Sequence, residues 1–496
     1  MTVPPIKSIA IIGAGASGAA AAAAFAAEAC FDRIRVFERR ETPGGTWIYD
    51  PGPKELPFVP GASPPDIDPP LTIPDTLPKT TAPSSQERFD RTPIYDDLTT
   101  NVPAIAMCLS DIPFPYGPFT PHWVPQQYIS NYFSSHRTDS LLSLSTTVED
   151  LSRIPAEKHS GRDSWKLVLR RHDAARNVDV WWEERFDAVI LANGHYSVPI
   201  VPHVTGLDDY RKLFPGRVSH SKTYRNPEPY RNKKVVVIGN SASGHDITAA
   251  LVGVAQAPIY QSRRSRSRWD GPTPPEGVEW KPVIKEFRPN GDVVFGDGSK
   301  LSSIDAVIYC TGYRPSFPFW NAKANGGPIY DYVKDGLIGT YQHTFFQKYP
   351  NLGIVGMPRV LTFRSFEYQA IALARFFAGR NALPLPPREA QQRWEKERWK
   401  LVKRERRKFH DIPWDDGETM DWLRLLFETA GLPLLEGQGK CPPVLGYETR
   451  WAIEHIKKYP DYGDGDGNNL RRTEDDGDES WTFLNHGDVK DSLHFI

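Results

Sequence analysis

Two glycine turns, each set directly after an apolar run, constrain this chain more than any other feature. Gly13-Ala-Gly15-Ala-Ser17-Gly18 follows Ile9–Ile12, and Gly239-Asn-Ser241-Ala-Ser243-Gly244 follows Val235–Ile238. A buried strand that ends in a glycine turn and opens a helix is the start of a Rossmann-like unit. Gly13 permits the tight turn, Gly15 lets the backbone approach a pyrophosphate, and Gly18 allows close packing of helix on strand. The helix N-terminus then offers free N–H groups and a partial positive charge to phosphates. The strand Phe186–Gly194, of pattern D-A-V-I-x-x-x-G, is mirrored by Ser303–Gly312. This internal repeat predicts an α/β chain with two Rossmann-like dinucleotide-binding domains, the second inserted into the first.

The two turns differ in the residues downstream of them. About twenty residues past the first lies Glu38, where an acid binds a ribose hydroxyl; at the same distance past the second lie Ser262, Arg263 and Arg264, where arginine accepts a ribose 2′-phosphate. The second turn departs from the pattern at Ser241, whose Cβ narrows the gap to the pyrophosphate. The alternative for Arg263–Arg268 is a solvated basic run or a nucleic-acid patch; its place at the end of the second strand favours the phosphate. The pair of sites points to a flavoprotein that takes hydride from NADPH.

The first domain is expected over residues 1–222, carrying an insertion over 51–93. Eleven prolines fall within residues 51–83, a density that predicts irregular structure without helix or interior strand. The NADPH domain is expected over 223–325. Residues 326–496 return to the first domain, with a helix over Ser365–Arg380, a charged and solvated helix over Arg388–Lys408, and a flexible stretch over Asp461–Ser480. Asn101–Tyr132 reads as loop-rich and aromatic, and Trp165–Leu169 with Val178–Glu183 as two strands of a hairpin.

Composition excludes several classes. Charged residues are 24% of the 496 and the formal net charge is −1, which gives no reason to expect nucleic acid or a membrane surface. No apolar run reaches eighteen residues, so no membrane span is expected, and the N-terminus enters the first strand too soon for a signal peptide. Cys30, Cys108, Cys310 and Cys441 form no C-x-x-C pair; a zinc site, a dithiol centre and a disulfide framework are not expected, and reduced thiols fit a cytoplasmic protein.

Between the turns lies Phe214-Pro-Gly216-Arg-Val-Ser-His220-Ser-Lys-Thr-Tyr224, of spacing F-x-G-x-x-x-H-x-x-x-Y. With it the chain resembles the flavin-containing monooxygenases, and the long proline-rich insertion resembles fungal members. Other segments are similar: Gly44-Gly45-Thr46-Trp47, Thr100-Asn101-Val-Pro103 with Met107 and Asp111–Phe114, Cys310-Thr311-Gly312-Tyr313, and Glu367-x-Gln369. The resemblance spans residues 6–430. It implies FAD contacts at Gly45, Thr46, Trp47, Thr100 and Gln369, NADPH contacts extending to Thr311 and Gly312, and a catalytic amide at Asn101 near the reacting edge of the flavin. It also implies hydride transfer from NADPH, a C4a-hydroperoxyflavin formed with O2, and oxygen transfer to the N or S atom of a small molecule. The related Baeyer–Villiger monooxygenases, which act on ketones, usually close the signature with Trp; Tyr224 favours the first group. His220 and Tyr224 are expected to fix the interdomain linker. No metal is expected, and the chain is open to pairing as a homodimer.

Overall fold

The computed structural model describes residues 4–52, 58–86, 92–156 and 161–460. Its first sheet has seven strands in the order Thr340–Tyr341, Phe345–Phe346, Leu352–Ile354, Ala188–Leu191, Ser8–Ile12, Arg33–Phe37 and Leu142–Ser143. The five strands from Leu352–Ile354 onward run parallel. Ala188–Leu191 and the Ile9–Ile12 part of the central strand are apolar because both faces are covered, as a parallel sheet requires. One cover is the helix Ala16–Ala27, buried from Ala16 to Phe25. Alanine has the best helix propensity and the smallest side chain after glycine, so this helix seats close against the long helix Phe363–Ala378. Glu28, at its C-terminal end, is fully buried and paired with Arg375 at 2.5 Å and Arg380 at 3.4 Å.

The second sheet is wholly parallel: Val218–His220, Ala306–Tyr309, Val235–Ile238, Ile259–Ser262 and Val278–Lys281. Both glycine turns have the same construction. Gly13 has φ +108°, and a Cβ there would lie 2.5 Å from the Ala192 carbonyl oxygen; Gly239 has φ +115°, and its Cβ would lie 2.6 Å from that of Cys310. Ala192 and Cys310 come directly after the two repeated strands, so the duplication seen in the sequence is a duplication of backbone contacts. Ser241 has φ −94° and ψ −169° at the N-cap of Ala242–Leu251, an extended conformation that any residue adopts.

Several expectations are corrected. Val218–His220 joins the second sheet, and Leu207 and Tyr210 pack in that domain's core with Val236 and Phe287. We therefore propose a domain boundary nearer residue 200 than 222. The proline-rich segment contains a short helix, Pro64–Ile67, because its two prolines occupy the first turn, where no N–H is needed. The Asp66 carboxylate holds its start, accepting from Ser63 N at 3.0 Å and Ser63 Oγ at 2.6 Å. The same segment supplies the edge strand Lys79–Thr81 to a four-stranded antiparallel sheet with Val178–Phe186, Ser164–Asp173 and Thr146–Ile154. Trp123–Ser135, which begins inside the stretch expected to be loop-rich, is a helix whose Pro125 sits in the first turn. The charged helix Arg388–Arg404 is not wholly solvated: Arg398 is buried and bonds Phe409 O at 3.0 Å. The stretch Asp461–Ser480 lies outside the described residues.

Candidate active site

A cavity of about 410 Å³ joins the two glycine turns. It is lined by Gly13, Gly15, Ser17 and Glu38, by Gly45, Thr46, Trp47, Thr100 and Asn101, and by Ala242, Ser243 and Asp246. Ten of the candidate residues named from the sequence thus meet here.

The first turn and the Gly44–Trp47 segment meet backbone to backbone. Gly44 N donates to Ala14 O at 3.0 Å, and a Cβ on Gly45 would lie 2.8 Å from Gly15 Cα. At φ +57° and this distance Gly45 has no room for a side chain, and the free surface left over is a cradle of main-chain groups suited to a pyrophosphate. Glu38 closes it: Oε2 accepts from Ala14 N at 2.8 Å and Oε1 from Arg40 N at 3.0 Å. A carboxylate offers about four lone-pair sites, so Glu38 fixes the turn and keeps acceptor capacity for a ribose hydroxyl. The residues fit a dinucleotide.

Asn101 comes after Thr100, whose Oγ1 accepts from Thr120 N at 3.0 Å while its N donates to Thr120 O at 2.9 Å. This pairing pins the segment. The Asn101 side chain itself is exposed at the cavity and has no hydrogen-bond partner among the described residues. Trp47, Leu98, Phe363 and Phe366 supply apolar walls, with Trp47 edge-on to Phe363 at 6.3 Å. Thr362 lines the same space with φ +41° and a buried hydroxyl that lacks a partner. A β-branched residue there is strained, which marks the turn into Phe363–Ala378 as held in place by its surroundings.

Other predicted residues lie off the cavity. Gly18 packs on Gly13, its Cβ position 2.0 Å from Gly13 O; Gly244 repeats this on Gly239 at 2.2 Å. Gly239 and Ser241 shape the second turn behind the cavity wall. Gln369 is buried, its Oε1 accepting from Gly356 N at 2.9 Å and its Nε2 donating to Thr344 Oγ1 at 2.9 Å. It positions the Gly356 turn, which lines the cavity, and makes no wall itself. Glu367 turns away, accepting from Ser110 N at 2.7 Å and Oγ at 2.9 Å. Thr311 and Gly312 secure the linker: the Thr311 hydroxyl donates to Ile200 O, and Ile200 N donates to Gly312 O at 2.9 Å. Ser262 is buried and donates to Pro282 O at 2.9 Å. Arg263 stacks on Trp280 and pairs with Asp270 at 2.8 Å, while Arg264 is exposed without a partner among the described residues.

The linker signature is structural. His220 is buried, accepts from Lys222 N through Nδ1 at 3.1 Å, and sits edge-on to Tyr313 at 5.1 Å. Burial lowers its pKa to about 3, helped by the Lys222 charge. Tyr224 packs on Tyr95 and Tyr230 at 5.8 and 5.9 Å.

The sequence did not reveal His195, Asp68, Arg359 or Tyr459 as cavity residues. Asp68 comes from the proline-rich segment and accepts from Ser316 Oγ at 2.6 Å. His195 stands beside the conspicuous Gly194 turn, a signal that could have found it; burial lowers its pKa to about 3. Tyr459 lies too far along the chain for any spacing to have placed it.

No helix among the described residues is long and apolar enough to cross a membrane, and no group of His, Cys, Asp and Glu among them could hold a metal. The four cysteines are free.

The flavin-binding monooxygenase-like family model matches residues 83–269 and 276–426, and that of the NAD(P)-binding Rossmann-like domain matches 11–54. The chain is 32% identical over 388 residues to flavin-containing monooxygenase FMO GS-OX5 of Arabidopsis thaliana, covering 76% of this chain and 75% of that protein. It is 30% identical over 437 residues to flavin-containing monooxygenase iboF of Amanita muscaria, covering 77% and 80%. Among solved structures, S-allyl-L-cysteine S-oxygenase from Allium sativum superposes with a TM-score of 0.69 at 25% identity, over 90% of this chain and 92% of that one. With its paired glycine turns and the cavity between them, the chain belongs to the flavin-binding monooxygenase-like family and takes FAD and NADPH as cofactors.

Proposed function

We propose that this protein uses NADPH and O2 to oxygenate the N or S atom of a small, soft nucleophile. The observation that carries the reading is that Gly13, Gly15 and Ser17 of the first turn, Asn101, and Ala242 and Ser243 of the second turn line one cavity. Two dinucleotides held at the two turns would meet near Asn101. When bound, FAD supplies the redox and oxygen chemistry, and the protein supplies orientation and electrostatics.

The chain's own residues would divide the remaining work. The Gly13–Ser17 main chain and the Gly45 turn would hold the pyrophosphate of FAD, and Glu38 its ribose. Ser243, Arg263 and Arg264 would hold NADPH. Trp47, Leu98, Phe363 and Phe366 would keep water from the reacting centre. The Asn101 amide, without a partner among the described residues, would donate a hydrogen bond to the oxygen being transferred. No nucleophilic side chain is required.

The relative from Allium sativum is named an S-oxygenase at 25% identity over 90% of this chain, which supports sulfur as one acceptor. A panel of sulfides, thiols, tertiary amines and a cyclic ketone, scored for NADPH consumption, product and peroxide, tests the reading. S- or N-oxides support it; an ester from the ketone alone would replace it with Baeyer–Villiger oxidation.

A further inference from the structure

Asp246, one turn into the helix Ala242–Leu251 of the second domain, is the hub of a clasp from the rest of the protein. Its carboxylate accepts from Tyr95 Oη at 2.5 Å, Lys458 Nζ at 2.9 Å and Tyr459 Oη at 2.7 Å. Lys458 also donates to Thr99 O at 3.3 Å, two residues before Asn101. The Tyr459 ring stands 4.8 Å from Trp269 and 5.9 Å from His245, both of the second domain. A second tie lies nearby, where Arg268 pairs with Asp415 at 3.0 Å. Lys458 and Asp246 are mostly buried, with side chains 16% and 18% exposed.

The clasp is also a cavity wall. Tyr95, Thr99, Asp246 and Tyr459 line the same space as Ala242 and Ser243 at the helix N-terminus. A carboxylate beside a phosphate-binding helix end is unfavourable for an anionic dinucleotide unless its charge is met. Lys458 meets it.

We propose that Lys458 and Tyr459 are positioning residues for the nicotinamide dinucleotide: they neutralise Asp246 and close the interdomain groove, so that NADP⁺ stays in place through turnover. The inference rests on the proposed monooxygenase function. The segment is thus a third wall of the cofactor site, contributed from far along the chain, and sets cofactor residence without touching the oxygen acceptor.

The experiment uses the full-length, FAD-loaded protein. NADP⁺ affinity is measured by isothermal titration calorimetry, its release rate by stopped-flow displacement, and FAD occupancy by absorbance. In Lys458→Ala, NADP⁺ binds about tenfold more weakly, the effect of one uncompensated charge at a partly buried site. In Tyr459→Phe, which keeps the ring, binding weakens about threefold, as for one lost hydrogen bond. The double variant Asp246→Asn with Lys458→Ala recovers most of the first loss, which a purely structural role would not produce. FAD occupancy stays at the wild-type level throughout. Unchanged NADP⁺ affinity and release in both single variants overturn the proposal, as does tighter binding, which would make the segment an occluding lid. A wild-type protein that holds FAD and does not bind NADP⁺ would instead overturn the functional reading.

Discussion

The Arg263 guanidinium carbon sits over the indole of Trp280, 3.4 Å from the ring centroid, and the side chain pairs with Asp270 at 2.8 Å. Asp270 is fully buried and also meets Asn240 Nδ2 at 2.7 Å, so it holds the Arg263 guanidinium rigidly beside the second glycine turn. Arg264, next along the chain, is exposed at the strand end. The two arginines therefore differ: one is fixed in direction, the other free to follow a phosphate.

Removal of either arginine is expected to weaken NADPH binding far more than NADH binding. A lost charge-assisted phosphate contact costs about 1.5–3 kcal/mol. Arg263→Ala should also lower thermal stability, since it leaves Asp270 short of a partner; Arg264→Ala should not. Dissociation constants for both nucleotides, with melting temperatures, check this. Equal losses for NADPH and NADH would exclude 2′-phosphate recognition here.

Asn101 presents a free amide to the cavity from a segment pinned by Thr100 and Thr120. In Asn101→Ala, NADPH oxidation is expected to persist while product falls and peroxide rises. Simultaneous assays of NADPH, peroxide and product measure the split, and a normal product yield would remove Asn101 from the chemistry.

Gly13→Ala is expected to abolish FAD retention. The new Cβ meets the Ala192 carbonyl oxygen at 2.5 Å, at φ +108°, and backbone cannot move aside as a flexible side chain can. The ratio of flavin to protein absorbance after gel filtration reports the loss; a fully yellow variant would show that the turn tolerates a side chain.

Four of the buried histidines predict acid sensitivity. Burial lowers the pKa of His195, His220 and His410 to about 3, and holds His343 well below its ordinary value of 6.5. His343 and His410 sit Nδ1 to Nδ1 at 3.0 Å, so a single proton lies between them and a second charge is opposed. Below pH 6.5 the unfolded chain takes up protons that the folded chain refuses, so stability falls with falling pH toward 3. Each such group contributes a slope of about 1.4 kcal/mol per pH unit within that window. Melting temperatures from pH 7 to 5, above the range in which most carboxylates titrate, should fall steadily. A flat profile would contradict neutral histidines in the core.

The legible parts of this fold are those where one residue type alone satisfies the backbone. Gly13 and Gly239 need positive φ and lie against carbonyl oxygens, so both Rossmann-like units stood out in the sequence. The helix Trp123–Ser135 did not, because Pro125 and four aromatic residues resemble loop composition, and only the first-turn position makes the proline harmless. Gln369 sat in a recognisable motif, yet its amide serves the Gly356 turn and not the cavity surface. Tyr459 and Asp68 reach the cavity through tertiary packing alone, and neither periodicity nor spacing records such an approach.

In the proposed reaction, electrons from NADPH place one atom of oxygen on a soft nucleophile. The most direct measurement is the stoichiometry of oxide formed to NADPH consumed with an accepted sulfide or amine, under air and under ¹⁸O₂. One labelled oxide per NADPH is predicted, with little peroxide. NADPH consumption that yields peroxide and no labelled oxide from any nucleophile tested would contradict it.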